Sequence, residues 1–190
     1  MNSALLAQGQ QELVFQGDGS DEYRVLARNW PQIVETELED GNYHFARKHD
    51  ELHERQTGAY GFDYGYSVPL DSLHIRDVFP ISTTTGTRRP IDWLQDGENV
   101  YCNEAGGVVV EYTTTTVTDL FSSNFRTGVQ KKLEAVILRS LKEEYAAADR
   151  SDQAAEMYFQ RARTSSSKAR TSKPMYRDPG RLTSARRGRG

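Results

Sequence analysis

One cysteine, Cys102, stands in 190 residues, so no intrachain disulfide can hold the chain together, and a reducing compartment is the expected setting. No apolar run approaches the ~18 residues that a membrane-crossing helix needs. The N-terminus has no signal-peptide core. A soluble protein, made and used or assembled in cytoplasm, is the expectation. Apolar residues are also sparse: 36% are hydrophobic against 27% charged. The length fits one domain plus tails, since domains take roughly 100–200 residues. A body of about 150 residues can bury close to 70% of its unfolded surface. An independent core is therefore possible, though modest.

The usual signatures of catalysis are missing as well. There is no G-x-S-x-G to present a serine nucleophile. Gly17-Asp18-Gly19-Ser20 lacks the Lys and the preceding strand of a phosphate-cradling loop. Asp18-Gly19-Ser20-Asp21 misses the calcium-loop spacing. His49 and His53 stand four apart, as in a metalloprotease helix, but the position after the first His is Asp50 where that motif has Glu. The flanks carry no apolar helical face, and neither His44 nor His74 is spaced as a third zinc ligand. A solvated polar turn is the expected form of His49–His53. The reading is not an enzyme, with no cofactor and no metal.

What the chain does have is a charge split hidden by its net −3. Between Arg161 and Gly190 there are ten Lys or Arg against one acid, Asp178, a balance of +9. The other 160 residues hold 14 basic and 26 acidic side chains, a balance of −12. From Thr164 onward the composition is Ser, Thr, Lys, Arg, Gly and Pro, which cannot bury enough surface to fold alone. Residues 164–190 therefore read as an extended basic arm. Arg163, Lys168, Arg170, Lys173, Tyr176, Arg177, Arg181, Arg186, Arg187 and Arg189 are its candidate partner-binding residues. They suit an acidic protein surface, with order gained on binding. Phosphate contacts on nucleic acid and a plain solubility tail remain as alternatives.

Periodicity divides the body, residues 1–163. Helices are predicted over 3–15, 21–39, 123–148 and 152–163. Ser20 caps the second, Asp21 and Glu22 favour its first turn, and Pro31 should bend or restart it. Phe125, Val129, Leu133, Val136, Ile137, Leu141, Tyr145 and Ala148 repeat at close to 3.6 residues, with Ser122 or Ser123 as cap. One helix over that span would be roughly 39 Å long. The β region covers 60–118. Leu73 and Ile75 alternate with His74 and Arg76, and Val108, Val110 and Tyr112 alternate with Val109, Glu111 and Thr113. Asp96-Gly97 and Gly106-Gly107 mark turns. Tyr60, Phe62, Tyr64 and Tyr66 lie in a segment without basic residues, which favours packing at a sheet or an interface over base stacking. The fold class that follows is α+β: a helical bundle with a small antiparallel β-sheet and an extended basic C-terminal tail.

The order of short patterns adds to this. Tyr43-x-Phe45-Ala46 is followed by Tyr66-x-x-Pro69-x-Asp71-x-Leu73. A Gly-centred strand pair comes next, then Thr118-Asp119 ahead of a helix with an early Phe125. This order resembles the head-to-tail adaptor proteins of tailed bacteriophages, particularly the tail tubular protein A type, over roughly residues 23–162. That family usually has Trp where this chain has Tyr43. The resemblance implies a structural virion protein: a closed homo-oligomeric ring, dodecameric, at the head–tail junction between the portal protein and the tail nozzle or tube. DNA passes through the lumen without sequence-specific binding, and no membrane is involved. The alternative is a nucleic-acid-binding protein that uses the basic arm.

Overall fold

The computed structural model describes residues 1–9, 20–81, 89–116 and 118–168. Among the described residues, four helices and seven strands build an α+β molecule whose two larger apolar clusters are one helical and one between sheets. The first predicted helix is seen as α1, Asn2–Ala7. The rest of that prediction, from residue 10 on, lies outside the described residues.

Helix α2 runs Asp21–Asp40, and the Ser20 hydroxyl accepts from the Tyr23 N–H at 3.1 Å, as its sequence indicates. Pro31 neither ends nor restarts it. Proline removes one backbone donor, but Leu26, Val34 and Leu38 on either side of it are buried in the same core. Tertiary packing outweighs the local defect.

The long helix predicted over 123–148 is instead a hairpin. Helix α3 spans Ser123–Ser140, with Ser122 as cap, and α4 spans Tyr145–Lys168. Between them Glu143 takes a left-handed φ of 55°. The Glu144 N–H reaches back to the Leu138 carbonyl at 2.9 Å, closing the end of α3. Folding the sequence back lets Phe125 and Gly128 face Phe159, and Leu138 face Ala148. A single rod would have left one of those faces in water. Helix α4 also absorbs the helix predicted over 152–163, and it takes in the first five residues of the expected arm, 164–168.

Strands β1 (Arg47–Leu52), β2 (Arg55–Thr57), β3 (Tyr64–Ser67), β4 (Ser72–Pro80), β5 (Trp93–Asp96), β6 (Asn99–Cys102) and β7 (Val108–Thr114) form two antiparallel sheets rather than one. Their orders are β1-β7-β4 and β2-β3-β6-β5. The β region thus begins at Arg47, before the predicted residue 60. The His49–Leu52 stretch is an edge strand paired with β7, His49 opposite Glu111, and not a turn. Its partner β7 decides this: that strand is buried at all seven positions and needs neighbours on both sides. Val108, Val110 and Tyr112 pack with Tyr66, Val100 and Cys102 of the other sheet.

The helical core is centred on aromatic rings. Tyr43, which precedes the 3₁₀ turn His44–Ala46, and Phe45 within it meet Phe125 of α3 with centroids at 4.9 Å and 5.3 Å. Phe121 and Phe159 complete the group at 4.5 Å and 5.7 Å from Phe125. Such pairs add about 0.5–1.5 kcal/mol each beyond simple burial.

Candidate interaction surface

Of the arm residues singled out by sequence, Arg163 and Lys168 fall on α4. Arg170, Lys173, Tyr176, Arg177, Arg181, Arg186, Arg187 and Arg189 lie outside the described residues. The two that can be placed have different surroundings. Arg163 turns inward on the α2 side. Its Nε donates to Glu37 Oε1 at 3.0 Å, and its Nη2 donates to Glu37 Oε2 at 2.8 Å. The Tyr43 hydroxyl donates to the same carboxylate, and Glu156 stands 3.4 Å from the guanidinium. Glu37 is only 7% exposed, so these donors replace the water it has lost. Burial, and then the adjacent Glu37, push the Tyr43 hydroxyl far above its ordinary pKa; it stays a donor. Arg163 thus fastens α4 to α2.

Lys168 is exposed at the end of α4. Just before it Ser166 is buried: its hydroxyl accepts from the His44 N–H at 2.7 Å and donates to the Asn42 carbonyl at 3.1 Å. The last turn of α4 is therefore part of the folded body. The first five residues assigned to the arm, 164–168, thus belong to α4.

Beside this pair lies a cleft of about 380 Å³, open between α2 and α4, with Asn29, Thr36, Lys132, Glu156, Phe159 and Arg163 on its walls. The far side of α4 is different in character. Its buried line is Ala148, Ala155, Phe159, Ala162 and Ser166. On the opposite side Arg150, Gln153, Met157, Arg161, Thr164 and Lys168 recur at helical spacing and are all exposed. Met157 is 55% exposed at the centre of that stripe. Three cations and no acid lie on it, because Asp149 and Asp152 turn toward Arg139 and Lys132 of α3, and Glu156 toward Arg163.

A second polar knot joins the β3–β4 turn to the three-stranded sheet. Asp71 accepts from Lys48 Nζ at 2.6 Å, Thr114 Oγ1 at 2.9 Å and the Tyr112 hydroxyl at 3.1 Å. The Lys48 hydrogen bond, helped by the Thr114 and Tyr112 donors, holds the Asp71 carboxyl down at about 2. Asp50 shares the Tyr112 hydroxyl at 2.7 Å.

The histidines read as a zinc candidate are far from converging. His49 Nε2 is 3.1 Å from Glu111 Oε2, and His53 Nε2 is 3.6 Å from Glu51 Oε2. Four residues of extended chain cover roughly 13 Å, whereas the metalloprotease pairing needs a helical turn. Among the described residues no three His, Cys, Asp or Glu side chains gather as a metal group. No helix among them is long and apolar enough to cross a membrane.

Comparison with protein-family models and with curated proteins finds no match to this chain.

Sequence reasoning missed the α4 stripe because it assigned Thr164 and Lys168 to the arm and ended the helix before them. The signal was present: from Met157 to Lys168 the spacing of 4, 3 and 4 residues continues the same helical line.

Proposed function

We propose that the protein is a structural virion component, a head-to-tail adaptor that joins a phage portal to the tail nozzle or tube. In this reading it works as a closed homo-oligomeric ring, of dodecameric order, through which DNA passes, and it is not an enzyme. The observation that supports the reading is the use made of the motif residues. Tyr43, Phe45 and Phe125 meet in one aromatic cluster. Tyr66 is fully buried between the sheets, and Asp71 ties the β3–β4 turn to β1 and β7. These residues are far apart in sequence, and each secures a junction between elements. A pattern spent on shape suits a protein whose work is mechanical.

Size-exclusion chromatography with light scattering and imaging of the full chain, alone and with portal, tests this. Rings on portal are expected. A monomer with no portal affinity under both conditions refutes it. Truncation after Lys168 is expected to leave a folded body that no longer binds portal, whereas truncation after Arg163 also removes the Ser166 bonds. The nucleic-acid alternative is separated by gel shift: tight binding whose salt slope corresponds to several phosphates would favour it.

A further inference from the structure

Two faces of the helical bundle carry charges that the fold does not pair. One is the C-terminal part of α2, where Glu35, Glu39 and Asp40 are exposed. The other is the α4 stripe, with Arg161 and Lys168 beyond Met157. Neither set forms an ion pair among the described residues, although elsewhere in the bundle Lys132, Arg139 and Arg163 all do. Arg161 only lies over the Tyr158 ring, at 5.5 Å from its centroid.

The acidic face has a further reason to attract cations. The carboxyl end of a helix carries partial negative charge and is stabilised by basic groups. The last turn of α2 contains none, and holds Glu37, Glu39 and Asp40 instead. Two basic side chains come from elsewhere in the fold. Arg163 neutralises Glu37, and Arg76 Nη2 donates to the Gly41 carbonyl at 2.8 Å. Asp40 lines the cleft that also holds Lys132 and Arg163, whereas Glu39 has no ion pair among the described residues.

The spacing of the two faces is compatible. Glu35 and Glu39 are about 6 Å apart along α2, and Arg161 and Lys168 about 10 Å along α4, at 1.5 Å per residue. Long, flexible side chains cover the difference. Glu35 and Glu39 point away from the buried side of α2, and the stripe points away from the buried side of α4, so the two do not face each other within one chain. Two different patches that attract each other make a head-to-tail contact, the kind that propagates into a ring or a filament. The exposed Met157 gives the contact an apolar centre. A phosphate backbone would leave that side chain unused and would be repelled by the acidic body.

We propose that the acidic C-terminal part of α2 on one copy docks against the Met157-centred basic stripe of α4 on a second copy. This rests on the self-assembling reading above, and it assigns the two halves of the contact.

The test is a charge exchange in the full chain, followed by light scattering and sedimentation over a concentration series, with circular dichroism as the control for folding. One variant carries Arg161→Glu and Lys168→Glu. A second carries Glu35→Lys and Glu39→Lys. A third carries all four. The wild type is expected to assemble, and each two-site variant to need about tenfold or more higher concentration to do so. The four-site variant should return to within about threefold of the wild type, because the reversed faces again attract. Unchanged assembly in either two-site variant, or no recovery in the four-site variant, overturns this docking and leaves the ring reading standing. A wild type that stays monomeric at every concentration, with and without portal, overturns both. Loss of portal or DNA binding in the first variant, with self-assembly intact, also overturns it and gives the stripe to that partner.

Discussion

Gly128→Ala sets two effects of opposite sign against each other. Gly128 lies inside α3, and alanine in a helix is favoured over glycine by about 0.5–1 kcal/mol. Local propensity alone therefore calls for stabilisation. At Gly128, however, a Cβ would stand 2.5, 2.6 and 3.1 Å from three carbons of the Phe159 ring. Comfortable carbon contacts are about 3.5–4.0 Å, so the ring or the helix must retreat by roughly 1 Å. The ring has little room, being 1% exposed and set against Phe125. Overpacking of this kind costs about 1–3 kcal/mol, and the balance is a net loss of about 1–2 kcal/mol. At about 2–4 °C per kcal/mol for a chain of this size, Tm should fall by roughly 2–8 °C. Urea unfolding followed by far-ultraviolet circular dichroism, at one fixed protomer concentration, gives the number. Phe159→Leu supplies the control, costing about 1–2 kcal/mol alone by opening space. The double variant should then be less damaged than the sum, with a coupling of about 1 kcal/mol. A Gly128→Ala protein more stable than wild type, or strictly additive variants, would refute the account of the α3–α4 contact.

Arg163→Ala leaves Glu37 buried with one remaining donor, Tyr43. Because the Arg163 side chain is one-third exposed, the expected cost is at the low end for a broken buried pair, about 2–3 kcal/mol by urea titration. A loss under about 0.5 kcal/mol would remove this pair from the set of fastenings. Asp71 predicts an acid limb. Its folded pKa is about 2, below the ordinary 3.8, so its contribution is present above about pH 4–5 and is lost as pH falls toward 2. Asp71→Asn should lower Tm at neutral pH and flatten the pH dependence between 5 and 2; an unchanged acid limb counts against the assignment. Cys102 is fully buried, and burial pushes its thiol above the usual value. Labelling by a thiol reagent should therefore follow the rate of unfolding, and rapid labelling of the native protein would contradict the burial.

Much of the local structure was legible in the residues themselves. Ser20 and Ser122 as caps and the turn at Asp96-Gly97, which joins Trp93–Asp96 to Asn99–Cys102, follow from short-range chemistry. The α+β class follows from the change of period between segments. The candidate surface was legible only in part. Basic residues could be counted, but Arg163 belongs to the interior fastening and Lys168 to an exposed helical stripe. That distinction depends on which way α4 faces.

Elements whose signals lie within a turn or two were set by the residues alone: caps, strand alternation and tight turns, along with the charge split between body and C-terminus. Breaks and partners were settled by the folded chain. Glu143 reverses the backbone without glycine or proline, Pro31 stays inside a helix, and the polar His49–Leu52 stretch becomes a strand. In each case local preference amounts to about 1 kcal/mol, or a few for proline, while long-range packing buries whole side chains at about 1.5–3 kcal/mol each. Where the two compete, the greater stabilisation comes from residues far away in sequence, and no local pattern can announce it.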